Sequence, residues 1–178
     1  MHESPLRLED VELVPRAAQA LLSAQDAGWA LVVASNQPAA AKGTVPLSAL
    51  QEVHAEVLRR LADAGAHLAG SYVCWHHPGG SVPELTRTCE CRKPQPGLLL
   101  AAARELELDL GASWLVGDTD ADVGAARRAG LRGVALVLNP RSAHRRGQVS
   151  EGADLIASDT FAAVAQILER EAGTESER

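Results

Sequence analysis

Cys74, His76, Cys89 and Cys91 set out a C-x-H pair and a C-x-C pair with twelve residues between them. Three thiolates and one imidazole fill a tetrahedral shell for Zn²⁺, a cation that favours soft sulfur and nitrogen donors, and such a closed shell is structural. All three cysteines of the chain fall in this segment, an odd count in a chain without secretory features, so disulfides explain them poorly. Ordinary buried thiols beside surface histidines would need five such residues to crowd into one loop by accident. A DNA-binding finger fits no better, because the spacing differs from the common fingers and no basic recognition helix follows. The reading is a zinc staple over about twenty irregular residues, with His77 outside the shell.

A second group is spread along the chain. Ser35 and Asn36 close an apolar run, Arg92 and Lys93 follow the last cysteine, and Asp118 and Asp122 follow another apolar run. A hydroxyl and a lysine at strand ends can hold a phosphoryl group, and neighbouring carboxylates can hold Mg²⁺. Each part has an ordinary alternative: Ser-Asn in a turn, Lys-Pro before a helix, an Asp pair capping one. Their order and spacing give the phosphate reading its weight.

The elements that must position these residues alternate. Residues 15–27 are helix-forming, with Pro15 in the first turn and Gly28 as the stop. An apolar strand at 29–35 leads into the Gly- and Pro-punctuated loop NQPAAAKGTVP. Leu50, Val53, Val57 and Leu61 recur at helical steps, and 71–74 reads as a short strand before the irregular loop 75–93. A helix near 96–107, a strand at 113–118 ending in an acidic loop, a helix closed by Gly130, strands at 133–138 and 154–157, and a helix at 159–170 complete the pattern. The alternation predicts an α/β fold, Rossmann-like, with a mostly parallel sheet covered on both faces and its site at the carboxyl ends of the strands. Residues 1–170 form one domain containing the zinc loop at 74–93, and 171–178 a disordered tail.

Composition narrows the function. The chain has 178 residues, of which 46% are hydrophobic and 22% charged, values that suit one globular domain. A net charge of −6 argues against nucleic acid or an anionic membrane as partner, and 3% aromatics leave no stacking platform for bases. No run reaches the roughly 18–20 apolar residues of a membrane span, and the first thirty residues lack a signal-peptide pattern, so the chain reads as cytoplasmic.

The stretch YVCWHHPGGSVPELTRTCECRKPQPGLLLAAARELELDLGASWLVGDTDADVGAARRAG resembles the haloacid-dehalogenase phosphatase superfamily, in the branch of the zinc-containing heptose 1,7-bisphosphate phosphatases. The related histidinol-phosphate phosphatases share the zinc loop. The similarity runs from about Leu13 to Ile167, and the C-x-H/C-x-C-R-K-P block is its most specific part. The resemblance implies a Mg²⁺-dependent phosphomonoester hydrolase acting on a phosphorylated sugar, without a large cap domain, its zinc loop shaping the entrance. It implies that Ser35 touches phosphate, with Asn36 and Gln37 next in that loop. It makes Lys93 the third-motif lysine, Asp118 the Mg²⁺ ligand and Arg92 a substrate-phosphate contact. Cys74, His76, Cys89 and Cys91 match the zinc ligands.

Two departures stand out. Members of the superfamily open with an apolar strand ending in D-x-D, which carries the nucleophile and the acid/base. Here the only aspartates before Ser35 are Asp10 and Asp26, so the nucleophile is absent and the central first strand is missing, which would expose two strand edges. The loop NQPAAAKG also carries Pro38 and offers Lys42 where a bidentate arginine is usual, a weaker grip on substrate. Three readings follow: a phosphatase whose true start lies upstream, a non-catalytic zinc-stabilised relative that binds phosphorylated ligands or a partner protein, and a chain whose sheet a partner chain completes. The D-x-D formed by Asp118 and Asp120 is a poor substitute, because Asp118 already serves Mg²⁺ in the resemblance. Residues 5–14 have only a weak strand pattern.

Overall fold

The computed structural model describes residues 4–175. Five parallel strands alternate with five helices: α1 (Ala17–Asp26), β1 (Leu31–Asn36), α2 (Leu47–Asp63), β2 (Leu68–Cys74), α3 (Gly97–Leu106), β3 (Trp114–Gly117), α4 (Asp120–Ala129), β4 (Gly133–Val137), β5 (Leu155–Ala157) and α5 (Thr160–Glu175). The expected α/β alternation is present, with most boundaries moved by one to three residues. One end moves further. The helix expected to stop at 170 continues to Glu175, so 171–175 are helix and not tail; 176–178 lie outside the described residues.

A parallel sheet lacking its central strand, with two edges exposed, was the expectation, and two separate sheets form. β1 pairs with β2 in parallel, and β3, β4 and β5 make a second parallel sheet in that order. No ladder joins β1 to β3. Between them lies a cavity of about 420 Å³ lined by apolar side chains of both strands, among them Leu31, Val33, Trp114 and Val116, and by Val164 and Ile167 of α5. This matches the expected pair of exposed edges. Residues 5–14 do not cover either edge as a strand. They form a 3₁₀ turn at Leu8–Asp10, and buried Val11 gives its carbonyl to the Arg60 guanidinium.

Packing explains the rest. Ala135, Val137 and Ala157 of the larger sheet bury against Ala163 and Ile167 of α5, while Ala20 and Ala24 of α1 meet Val164 of the same helix. Small side chains let these layers approach closely, as the alanine-rich composition requires. On the opposite face Val123 and Ala126 of α4 pack on Val134 and Leu136. Gly130 ends α4 in the left-handed region at φ +73°, as its position implies.

Candidate functional site

The carboxyl ends of β1, β3 and β4 converge on an inner cavity of about 140 Å³. β1 delivers Ser35 and Asn36, the loop after the last cysteine delivers Lys93, the β3–α4 turn delivers Asp118 and Asp122, and the turn after β4 delivers Asn139, Ser142 and Arg145. Gly117 permits the β3–α4 turn: a Cβ there would lie 2.3 Å from the Asp122 Cβ.

Lys93 is held from two sides. Its Nζ donates to the Ala34 carbonyl at 2.6 Å and to Asp122 Oδ1 at 2.6 Å. An ammonium has three hydrogens, so one remains for a ligand. The Lys93 backbone is clasped by the Asn36 amide, which donates to its carbonyl at 2.9 Å and accepts from its N–H at 3.1 Å. Asn36, expected to bind substrate, therefore spends its amide on fixing Lys93. Ser35 Oγ accepts from Gln37 Nε2 at 3.0 Å, which leaves its own hydroxyl proton to donate.

The two carboxylates differ. Asp122 is buried, and burial alone would raise its pKa; the Lys93 ammonium and the Thr119 hydroxyl reverse this and hold it below the usual range. Its Oδ2 accepts from Thr119 Oγ1 at 2.6 Å and from the Asp118 and Thr119 N–H groups. That set leaves Asp122 as the partner of Lys93 and not a metal ligand. Asp118 Oδ2 accepts from Asn139 Nδ2 at 3.0 Å, while its Oδ1 takes no hydrogen bond among the described residues. Asp120 faces away, toward Ser150 Oγ and the Gly147 N–H, so Asp118 and Asp120 do not act as a pair.

Beside the inner cavity lies an outer one of about 550 Å³, lined by Lys42, Arg92, Arg145, His77 and His144 and by no carboxylate among the described residues. Burial lowers the Arg92 pKa, with Arg145 contributing. Burial and the charges of Arg92 and Lys42 likewise lower that of His77, whose Nδ1 accepts from the Gly79 N–H at 3.0 Å. Lys42 and Arg92, both expected to contact substrate, line this cavity together.

The zinc group assembles as its spacing implies. The ligand atoms of Cys74, His76, Cys89 and Cys91 lie within 4.8 Å of one another. Sulfur separations run from 3.2 to 3.6 Å, and His76 Nδ1 is 3.4 Å from Cys91 Sγ and 3.8 Å from Cys74 Sγ. A tetrahedron with Zn–S bonds of about 2.3 Å has edges of about 3.7 Å, so the donor set fits the ion. Burial and the adjacent thiols push the Cys91 pKa up, the state that a cation at the centre would reverse.

Asn139, Arg141, Ser142 and Arg145 have no place in the sequence reading, which gives His77 no role beyond standing outside the zinc shell. The available signal was NPRSAHRRG, a basic run directly after an apolar strand.

The comparisons agree with this geometry. Residues 90–162 match the HAD-hydrolase-like family model. The fold and site together define a HAD-like phosphatase. The chain is 36% identical over 143 residues to a D-glycero-beta-D-manno-heptose-1,7-bisphosphate 7-phosphatase of Yersinia pestis, covering 80% of this chain and 76% of that protein. It is 37% identical over 130 residues to the protein of the same name from Escherichia coli K12, covering 73% and 68%. The crystal structure of D,D-heptose 1,7-bisphosphate phosphatase from B. bronchiseptica, complexed with magnesium and phosphate, superposes with TM-score 0.76 at 30% identity, over 93% of this chain and 88% of that one. The chain belongs to the D-glycero-D-manno-heptose 1,7-bisphosphate phosphatase family. Among the described residues, no helix is long and apolar enough to cross a membrane.

Proposed function

We propose that this chain is a Mg²⁺-dependent phosphatase for a phosphorylated sugar, with heptose 1,7-bisphosphate as substrate and the 7-phosphate as the reacting group. One observation carries the reading: around the inner cavity, Ser35 keeps an unused proton, Lys93 an unused N–H and Asp118 an unused oxygen. A hydroxyl, an ammonium and a carboxylate oxygen are what a phosphoryl group with a divalent cation requires. Mg²⁺ held by Asp118 would draw charge from the phosphoryl oxygens. Ser35 and Lys93 bind and orient those oxygens, Asp122 and Asn36 hold Lys93 in place, and Arg92 and Lys42 take the second phosphate. The zinc staple fixes Arg92 and Lys93 directly after its last ligand. The chain through residue 170 acts as one domain.

Of the two carboxylates that line the inner cavity among the described residues, Asp122 is paired with Lys93 and Asp118 is the residue that would hold Mg²⁺, so these assignments concern binding and charge neutralisation and name no nucleophile. The test is phosphate release from heptose 1,7-bisphosphate by the 178-residue chain with and without Mg²⁺, beside Lys93→Ala. The expected result is Mg²⁺-dependent release that falls about a hundred-fold or more in the variant. Saturable binding without release would favour the second reading, a non-catalytic binder of phosphorylated ligands. Histidinol phosphate as the better substrate would move the specificity to that related branch.

A further inference from the structure

The turn after β4 carries a residue that belongs to both cavities. Arg145 lines the inner cavity beside Lys93 and Asp118 and the outer one beside Lys42 and Arg92; it is the only charged side chain, among the described residues, common to the two. Its backbone is anchored. The next residue, Arg146, donates from Nη1 to the Asn139 carbonyl at 2.8 Å and to Ser142 Oγ at 3.2 Å, and Ser142 Oγ donates to the Asp118 carbonyl at 3.2 Å. The 3₁₀ turn Pro140–Arg145 is thus tied to the backbone of the residue that would hold the cation. The outer cavity has several cations and, among the described residues, no carboxylate, so it favours a ligand that brings negative charge.

We propose that Arg145 is a specificity-determining residue, bridging the two anionic groups of one ligand and so selecting a sugar bisphosphate over a monophosphate. This deepens the proposed function and rests on its placement of a phosphoryl group in the inner cavity. A guanidinium suits the role because its planar fork presents five N–H donors in fixed directions and can serve two acceptors at once. A monophosphate in the inner cavity reaches only one side of that fork. A bisphosphate reaches both sides and also neutralises the outer cavity.

The test is calorimetric titration of the Mg²⁺- and Zn²⁺-loaded full chain with heptose 1,7-bisphosphate, heptose 7-phosphate and inorganic phosphate, for wild type, Arg145→Ala and Arg145→Lys. Wild type should prefer the bisphosphate. Arg145→Ala should reduce that preference about ten-fold or more, the scale of a lost charge-assisted hydrogen bond, and Arg145→Lys should restore only part of it. Arg145 is exposed, so its replacement leaves the core intact, and an unchanged melting curve with full zinc content verifies this. Equal loss for bisphosphate and monophosphate, or no loss for either, overturns the inference. Wild type that binds both sugar phosphates equally overturns it while leaving the proposed function standing. Wild type that binds neither overturns both.

Discussion

The zinc loop and the gap between the two sheets are opposites built from one chain. In the loop, four donors separated by up to seventeen residues meet within 4.8 Å, and a single cation would satisfy all of them. At the gap, β1 and β3 flank a cavity of about 420 Å³ without a ladder between them. Local motifs complete themselves, because their parts are near in sequence and their bonding is strong and directional. A sheet is completed only by strands, and its edges remain edges wherever none is supplied. Lys93 spans the contrast. It follows Cys91, the last cysteine of the cluster, by two positions, donates to β1 at the Ala34 carbonyl and pairs with Asp122 at the start of α4, so it braces the two sheets where no ladder does.

Removing zinc should break the comparison most severely. Cys91→Ser, or chelation, should cost the loop most of the stabilisation that such a site supplies, on the order of 10 kcal/mol in small peptides. Metal analysis should show one zinc per wild-type chain and none in the variant, and exchange in 75–93 should become fast while α4 and β4 remain protected. A loop that stays ordered without metal would mean that its backbone contacts suffice.

Cutting the brace comes next. Lys93→Met leaves the Asp122 carboxylate buried and unpaired, which costs about 3–5 kcal/mol for pairs of this kind. The charge of Asp122 also gives the brace a pH limit. Its folded pKa lies below the unfolded value of about 4, so the stabilisation is fully present above that pH and is lost as pH falls through the lower folded value. Urea midpoints measured downward from pH 6 should decline below about pH 4 in wild type and less steeply in Asp122→Asn. Equal slopes would remove Asp122 from the acid limb.

Legibility divided along the same line. That Cys74, His76, Cys89 and Cys91 gather in one cluster, and that Ser35, Lys93 and Asp118 gather at one cavity, was readable, because each sits next to a signal of its own: a metal spacing, or the end of an apolar run. Asn36 was readable as a site residue but not in its role, since nothing in the sequence shows that its amide closes on the Lys93 backbone fifty-seven positions away. Asp122 was read as a companion of Asp118 in metal binding; its burial against Lys93 is a tertiary fact. The split into two sheets followed from the missing apolar run, whereas Arg145 was hidden in a polar turn whose relation to the cavities depends on how β4 lies beside β3. The helix end at Glu175 was missed because polar residues in a last turn look like tail.

The smallest effect, and the sharpest measure of the contrast, lies in the amides themselves. In a parallel strand successive N–H groups point to opposite neighbours, so β1, paired only with β2 among the described residues, should have alternate amides turned toward the cavity. Ala135 and Leu136 of β4 are flanked by β3 and β5 and have partners on both sides. Amide exchange resolved by residue should therefore divide β1 into two classes whose rates differ about a hundred-fold or more, with Ala135 and Leu136 both slow. Uniformly slow exchange along β1 would mean that the edge is covered in solution. An added apolar peptide that slows only the fast class would show that the edge is an open strand site, because protection by a new ladder must appear at every second residue.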